Sequence, residues 1–280
     1  MKKQRTIKKE ISFSGKALQT GDNAEVILRP LAPNEGIVFF RADIEGSAPI
    51  KLGPDTLTGE GQRRSVIGGA QGVQTVEHFM AALWALGIDN IRVDIKGQEL
   101  PALDGSAKCF IEKIEEAGLK EEEALREEIV ITEKEEISFM DASITIVPSD
   151  IFQVSYFIDY NVRSIGKEEF SIDLDKDSFM REIAPARTFC LKKEAEMLIK
   201  AGLGKGADLN NTLVMDEDGP VGTSLRFLNE PVRHKILDLV GDLYMLGRHI
   251  KGKVIAKRSG HTLNGKMVQL LYDKYVDNRA

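Results

Sequence analysis

The sequence predicts an α+β fold of two similar domains, each a mainly antiparallel sheet with helices on one face. In each half of the chain, segments rich in Val, Ile, Phe and Thr come first and helical segments follow. That order is typical of sheets whose helices are layered on one side. The length of 280 residues suits two domains, at about 150 residues per domain.

The predicted first domain covers residues 1–122. Its early segments read as strands because apolar side chains alternate, as Ala24, Val26 and Leu28 do, and turn sequences separate them. A glycine-rich stretch at 58–72 interrupts this pattern and is interpreted as an excursion from the core of the domain. The predicted elements are strands at 4–14, 24–30, 36–42 and 91–95, a helix from its cap Thr75 to about Leu86, and a helix capped by Asp104 or Ser106.

The predicted second domain covers residues 123–280. The charged stretch 120–128 is interpreted as a solvated helix end or linker, and the domain boundary is placed within it. The predicted elements are strands at 128–133, 143–147, 151–159 and 253–257, a long helix at 231–249 and a last helix at about 263–276.

Composition excludes several classes of protein. The net charge of -6 argues against a general nucleic-acid binder, which needs clustered Lys and Arg. Cys109 and Cys190 lack paired metal-ligand spacing and are expected to be reduced. The longest apolar run, residues 79–88, is about half of the ~20 residues that cross a bilayer. We therefore expect a soluble, cytoplasmic protein without a transmembrane segment.

Two of the four histidines stand in patterns that could bind a metal. His234 and Asp238 are four residues apart on a predicted helix, so both side chains leave one face and could supply two zinc ligands. On spacing alone, an ordinary surface charge pair is the commoner explanation. His78 follows Glu77 in a short apolar helix. It could be a third ligand beside a general base, or a hydrogen-bonded core histidine next to a capping glutamate.

Two further stretches allow alternative interpretations. His261 follows Gly260 at a predicted helix start, where an acid catalyst and a helix cap are equally plausible. The glycine-rich residues 202–206 lack the Gly-Lys-Ser/Thr ending of a phosphate loop, so a helix end followed by a loop is the better interpretation.

Several blocks, in order from about residue 4 to residue 270, resemble the zinc-dependent UDP-3-O-acyl-N-acetylglucosamine deacetylases of bacterial lipid A synthesis. The blocks are Thr-Val-Glu-His-Phe-Met-Ala-Ala-Leu (75–83), Gly-Ile-Asp-Asn (87–90), Glu-Leu-Pro-Ala-Leu-Asp-Gly-Ser-Ala (99–107), Ala-Arg-Thr-Phe (186–189), Val-Arg-His-Lys-Ile-Leu-Asp (232–238), Gly-Asp-Leu (241–243) and Ser-Gly-His (259–261). Their number and order make coincidence improbable.

The resemblance implies that the two helix layers face each other with the active site between the domains. It implies one Zn²⁺ per chain, bound by His78, His234 and Asp238. It also implies two inserts, a small sheet in the first domain near 58–72 and a strand–helix–strand in the second domain near 190–215 that lines an acyl passage. Leu198 is one of five candidates for that passage, although each could equally pack within its own domain. The other four candidates are Leu191, Met197, Leu203 and Leu213.

The resemblance also implies roles in catalysis. Glu77 would be the general base that activates water, and His261, held protonated near Asp242, would protonate the departing amine. Thr188 would stabilise the oxyanion. The predicted reaction removes the N-acetyl group of a UDP-3-O-(3-hydroxyacyl)-N-acetylglucosamine and yields acetate.

Four residues are predicted to bind the UDP-linked acylated amino sugar. Lys235 follows His234 by one residue, so it points about 100° away on the helix and could reach a phosphate. The resemblance adds Phe189 against the sugar, and Tyr160 stacked on uracil with Asp159 as its polar neighbour. We expect a monomer.

Two positions depart from the family pattern, and two other functions stay open. Gln19 and Val162 stand where histidines are usual, which leaves nearby substrate contacts less defined. The alternatives are a different zinc amidohydrolase acting on another acylated sugar and a catalytically inactive nucleotide-sugar binding protein.

Overall fold

The computed structural model describes residues 2–54 and 64–277, which form an α+β fold, as predicted. The strands in these residues are β1 (Lys3–Ile7), β2 (Ile11–Lys16), β3 (Asn23–Pro30), β4 (Ile37–Arg41), β5 (Ile50–Lys51), β6 (Val66–Ile67), β7 (Val73–Gln74), β8 (Ile91–Lys96), β9 (Leu119–Leu125), β10 (Glu128–Val130), β11 (Glu135–Phe139), β12 (Ala142–Val147), β13 (Phe152–Asp159), β14 (Lys167–Asp173), β15 (Phe189–Leu191), β16 (Leu213–Asp216), β17 (Gly219–Pro220) and β18 (His249–Lys257). The helices are α1 (Glu77–Leu86), α2 (Lys108–Glu116), α3 (Lys176–Glu182), α4 (Lys192–Lys200), α5 (Glu230–Leu243) and α6 (His261–Tyr275).

Two mixed, mainly antiparallel sheets dominate the fold. The first has the strand order β2-β3-β8-β4-β5, with β4 and β8 parallel. The second has the order β11-β12-β18-β13-β14, with β10 and β13 parallel to β18. Ala24, Val26 and Leu28 of β3 are buried, in agreement with the predicted alternation.

Helices α1 and α5 form the centre of the molecule. Every residue of α1 is buried, and all of α5 is buried except Arg233 and Lys235. Helix α2 lies beside α1, and α6 lies beside α5. The two helices that carry His78 and His234 therefore pack directly on each other, which brings residues distant in sequence into one site.

A glycine sets the distance between α1 and α5. A Cβ atom placed on Gly241 would lie 2.0 Å from the main-chain oxygen of Glu77 and 3.2 Å from the nitrogen of Ala81. Real Cβ atoms do not approach main-chain atoms so closely. Only a residue without a side chain lets the two backbones meet at this point.

The charged stretch 120–128 is not the predicted helix end or linker. Most of it forms β9, which pairs antiparallel with β1 in a two-stranded ribbon. The charges pair across the ribbon, with Lys3 3.3 Å from Glu123 and Arg5 3.0 Å from Glu121. Cross-strand pairs of opposite charge stabilise such ribbons. The domain boundary itself stays a prediction.

Two predictions, one about the first insert and one about the start of α1, have different outcomes. Residues 58–63 of the predicted insert lie outside the described residues, and β6 and β7 form a short antiparallel pair just after them. Thr75 does not cap α1. It has a positive φ of 56°, and its hydroxyl donates a hydrogen bond of 2.8 Å to Glu99.

The long helix predicted over 231–249 is wrong at its end. Helix α5 stops at Leu243, a 3₁₀ turn follows, and Gly247 at a positive φ of 63° reverses the chain. His249 therefore begins β18 instead of ending a helix. Its ring lies 5.6 Å from that of Trp84 and 5.2 Å from that of Tyr244.

In the parts of the chain described above, no helix has both the length and the apolar character needed to span a bilayer.

Replacing Gly241 with Ala is expected to destabilise the protein by about 3 kcal/mol or more, because the new methyl group overlaps the backbone of α1. The measurement is the free energy of unfolding in urea. Gly265→Ala in α6 is the matched control, since its Cβ meets nothing within 4 Å, and it should stabilise the protein by about 0.5–1 kcal/mol. Equal effects of the two substitutions would contradict the close approach.

His249→Phe is expected to make stability less sensitive to acid. Burial, together with Arg126, Lys2 and Arg5, holds the pKa of His249 well below its ordinary value of 6.5. The unfolded chain therefore binds a proton near pH 6.5 that the folded chain does not bind. The free energy of unfolding consequently decreases as the pH falls, by at most about 1.4 kcal/mol per pH unit.

The test compares free energies of unfolding at pH 7.5 and pH 5.5. Phenylalanine preserves the ring between Trp84 and Tyr244 and cannot be protonated. The parent should lose more stability than the variant over this range. Identical losses would show that His249 does not contribute.

Candidate metal and catalytic site

One cavity of about 860 Å³ collects most of the predicted site residues. Its floor is made by the start of α1, the middle of α5 and the turn into α6. The predicted residues that line it are Glu77, His78, Tyr160, Thr188, Phe189, His234, Lys235, Asp238 and His261.

The three predicted metal ligands converge at the bottom of this cavity. One potential ligand atom from each of His78, His234 and Asp238 lies within 4.8 Å of the other two, and all three residues are buried. Asp238 Oδ1 is 3.2 Å from His234 Nε2 and 3.6 Å from His78 Nε2. The helical spacing of four residues and the packing of α1 on α5 produce this cluster together.

The two oxygens of Asp238 have different surroundings. Oδ2 accepts a hydrogen bond of 2.8 Å from the Lys235 ammonium group. Oδ1 is buried and accepts no hydrogen bond from any described residue. A buried carboxylate oxygen without a donor is costly, and a cation between Oδ1 and the two imidazoles would satisfy it. The donor set of two nitrogens and one oxygen therefore fits a divalent metal with an open position.

The charge of Asp238 is stabilised in the folded protein. Burial opposes ionisation, but His234 and Lys235 outweigh it and hold the pKa of Asp238 well below its ordinary value. For Lys235, burial favours the neutral amine, yet Asp238 raises its pKa above the ordinary range. Both groups are therefore charged at neutral pH.

The orientation of His234 is set by its second ring nitrogen. Nδ1 lies 3.1 Å from the main-chain oxygen of Ala186, so Nδ1 carries the proton that is donated to this carbonyl. The lone pair of Nε2 is then left facing His78 and Asp238. A metal-binding histidine commonly has its other nitrogen fixed in this way.

Glu77 stands next to the metal-ligand cluster at the first position of α1. Its carboxylate is almost fully buried and accepts a hydrogen bond of 3.1 Å from the main-chain nitrogen of Ser65. Burial raises the pKa of Glu77, although His261 and His78 act in the opposite direction. A carboxylate with a raised pKa can accept a proton near neutral pH.

His261 and Asp242 form a hydrogen-bonded pair on the other side of the cavity. His261 Nδ1 lies 2.8 Å from Asp242 Oδ2, and Nε2 lies 3.9 Å from both Glu77 and Asp238. Burial alone would lower the pKa of His261, but Asp242, with Glu77 and Asp238, raises it to about 9. His261 is therefore protonated at neutral pH, with its Nε2 proton directed toward the cavity.

Thr188 is fixed by its main chain at the rim of the metal-ligand cluster. Its nitrogen donates a hydrogen bond of 2.8 Å to Gly105, and its carbonyl oxygen accepts one of 2.9 Å from Leu213. Gly105 has a positive φ of 75°, and a Cβ there would lie 1.7 Å from the oxygen of Asn211. This turn therefore admits only glycine, and it supports the backbone of Thr188.

The predicted substrate-binding residues do not all line the same cavity. The rings of Tyr160 and Phe189 meet edge to face at 5.5 Å, and Phe189 also lies 6.3 Å from His234. Asp159 does not line this cavity but lines a neighbouring groove, where it is 3.8 Å from Arg258. Two aromatic residues thus adjoin the cluster, whereas Asp159 is set apart from it.

The far end of the cavity is apolar. Leu198, Ile199 and Val214, from α4 and β16, line it, and β15 pairs parallel with β16 across this insert. Of the five candidates for the acyl passage, only Leu198 lines the cavity. Leu213 is fully buried in the core and Met197 is 62% exposed.

Three residues that support the site carry no role in the sequence-based prediction. Ser65 contacts both Glu77 and Asp242. The buried carboxylate of Glu99 accepts hydrogen bonds from the main-chain nitrogens of Gln19 and Thr20 and from Thr75. The side-chain nitrogen of Asn264 donates a hydrogen bond of 2.7 Å to Asp242. Glu99 belongs to a block that resembles the family, which could have signalled it, but the sequence gives no comparable signal for Ser65 or Asn264.

Comparison with known proteins agrees with this arrangement. Residues 4–273 match the family described as UDP-3-O-acyl N-acetylglycosamine deacetylase. Proteins named UDP-3-O-acyl-N-acetylglucosamine deacetylase from Nautilia profundicola and Acidithiobacillus ferrooxidans are 40% and 39% identical to the chain. These similarities cover 94% and 97% of the chain, and 89% and 90% of the two relatives. The chain therefore belongs to the UDP-3-O-acyl N-acetylglycosamine deacetylase family.

Proposed function

We propose that this protein hydrolyses the N-acetyl group of UDP-3-O-acyl-N-acetylglucosamine, releasing acetate and the free glucosamine amine, a step of lipid A biosynthesis. The observation that carries the proposal is the convergence of His78, His234 and Asp238 beside Glu77 and His261. Membership of the deacetylase family supports the identity of the substrate.

The metal that we propose is one Zn²⁺ per chain, held by His78, His234 and Asp238 Oδ1. Two imidazoles and one carboxylate form a donor set that catalytic zinc sites use. When bound, zinc would polarise the amide carbonyl and lower the pKa of a water molecule toward about 7, so that hydroxide is available at neutral pH. Because Lys235 donates a hydrogen bond to Asp238 Oδ2, Oδ1 is the carboxylate oxygen that would bind the cation.

Two residues of the chain move the protons in the proposed reaction. Glu77 accepts a proton from the attacking water while the water oxygen bonds to the acetyl carbon. His261 Nε2 then gives its proton to the sugar nitrogen as the carbon–nitrogen bond breaks. The other ring proton stays on His261 Nδ1, where it is hydrogen-bonded to Asp242, so the ring keeps its orientation throughout. Glu77 and His261 divide the work because one is an ionised base and the other a charged acid.

Thr188 and the aromatic residues complete the proposed site. The Thr188 hydroxyl donates to the oxyanion that develops on the acetyl group, and one such donor is worth about 3 kcal/mol. Phe189 packs against the sugar and Tyr160 against the uracil base. Lys235, already paired with Asp238, offers its positive charge to the diphosphate. Asp159 lines the neighbouring groove, and its proposed role is that of a polar neighbour of Tyr160 beside the base.

The remaining parts of the proposal concern the acyl chain and the whole molecule. The apolar end of the cavity near Leu198 would accept the 3-hydroxyacyl chain. We propose two domains because each half of the chain contributes one large sheet, with the boundary at residues 122 and 123, inside β9, where the ribbon of β1 and β9 joins the two halves. We also propose that the protein acts in the cytoplasm, in agreement with its two free cysteines. We propose that it acts there as a monomer.

His78→Ala and Glu77→Gln should separate metal binding from proton transfer. His78→Ala removes a ligand, so both bound zinc and acetate release should be lost. Glu77→Gln keeps all three ligands, so zinc should stay bound while kcat falls by about 10²- to 10⁴-fold. Zinc is measured by elemental analysis and turnover by acetate release from the UDP-linked sugar.

The control for this pair is His249→Phe, which changes a histidine outside the cavity and should preserve both zinc and turnover. Full zinc content and activity in His78→Ala would remove the proposed metal site. A parent protein that binds zinc but releases no acetate would favour a catalytically inactive binding protein.

Removing the acyl chain from the substrate distinguishes this deacetylase from another amidohydrolase. The apolar end of the cavity should contribute binding in proportion to the buried chain, at about 0.8 kcal/mol per CH₂ group. We expect kcat/KM for UDP-N-acetylglucosamine to be at least about 100-fold lower than for the acylated substrate. Equal values for both would favour an amidohydrolase that acts on a different acylated sugar.

A further inference from the structure

Ser65 touches both proton-handling sides of the site. Its main-chain nitrogen donates a hydrogen bond of 3.1 Å to Glu77 Oε2. Its hydroxyl donates one of 2.5 Å to Asp242 Oδ1 and lies 3.3 Å from His261 Nδ1. Ser65 is 6% exposed, so solvent does not substitute for these contacts.

The short hairpin of β6 and β7 fixes the backbone of Ser65. Val66 pairs with Gln74 in this hairpin, and the next pair outward joins the carbonyl oxygen of Ser65 to the nitrogen of Thr75 at 2.8 Å. Thr75 is in turn held by Glu99. Because α1 begins two residues after Thr75, the hairpin sets Ser65 against the first turn of α1, where Glu77 lies.

The hydroxyl of Ser65 completes the set of donors around Asp242. Oδ2 accepts from His261 Nδ1 at 2.8 Å and from Asn264 Nδ2 at 2.7 Å, and Oδ1 accepts from Ser65. A carboxylate with donors on both oxygens has a fixed plane, and a fixed plane fixes the ring that it binds. Without the hydroxyl, Asp242 would be held through Oδ2 alone.

We propose that Ser65 is a positioning residue that links the general base and the general acid, holding Glu77 through its main-chain nitrogen and the Asp242–His261 pair through its hydroxyl. The proposal rests on the proposed function for its catalytic consequence. It gives the small hairpin of the first insert a role, namely to place one residue between Glu77 from the first half of the chain and Asp242 from the second.

The test replaces the hydroxyl and preserves the backbone. In Ser65→Ala, the nitrogen that holds Glu77 stays, and kcat should fall about 10- to 100-fold while KM and zinc content change less than about twofold. Ser65→Thr retains the hydroxyl and should restore kcat, whereas Ser65→Val, of the same shape, should not. Ser171→Ala is the control, because among the described residues its hydroxyl hydrogen-bonds only to Ser155, on the outer sheet face.

A second measurement does not depend on turnover. In ¹⁵N-histidine-labelled protein without substrate, the His261 Nδ1 proton should exchange slowly with water in the parent and in Ser65→Thr. It should exchange much faster in Ser65→Ala and Ser65→Val, because Asp242 is then free to rotate.

The outcomes separate this proposal from the proposed function. Unchanged proton exchange in all the Ser65 variants, or equal kcat losses in Ser65→Thr and Ser65→Val, would overturn the positioning role. A parent without acetate release would overturn the deacetylase function, and the proton-exchange series would still decide the role of Ser65. The Thr and Val pair keeps the test valid if Ser65→Ala does not fold.

Discussion

The contact between α1 and α5 determines whether this protein has a site at all. Neither helix contains a complete set of ligands, and the main-chain atoms at Glu77 and Gly241 must nearly touch before His78 can reach Asp238. Packing of two buried helices is thus also the assembly of the metal site. Interiors of this density transmit small displacements, so the ligand geometry depends on a contact between backbones and not only on the ligands themselves.

Charge balance is the second constraint on this cavity. Glu77, Asp238 and Asp242 place three carboxylates around one imidazole, His261, at distances of 2.8 to 3.9 Å. Like charges so close together in a buried space repel strongly. His261 and Lys235 supply two compensating positive charges, and a divalent cation beside Asp238 would add more. The same neighbours that keep His261 protonated therefore also make the cation favourable.

The fold class could be predicted from the residues themselves, whereas the set of clustered residues could be predicted only with the family resemblance. Period-2 alternation in β3 and the spacing of His234 and Asp238 are local signals, and local signals survive in a single sequence. The approach of α1 to α5 is not local, so only the family resemblance pointed to it. The charged residues of β9 resembled a linker because ion pairs join this strand to β1, so the strand lacks the alternating apolar side chains that would predict it. The end of α5 was missed because Gly247 reverses a chain whose apolar pattern continues.

A buried ion pair joins the two sides of the reaction centre at the start of α5. Arg187 donates to the fully buried Glu230 from its main-chain nitrogen at 2.9 Å and from its side chain at 3.0 Å. The residue before Arg187 carries the carbonyl that orients His234, and the residue after it is Thr188. Breaking such a pair leaves an uncompensated charge in the interior. The segment that carries the Thr188 hydroxyl and the helix that carries the His234 imidazole are therefore anchored to each other through Arg187 and Glu230, so a displacement of the start of α5 would also displace Thr188.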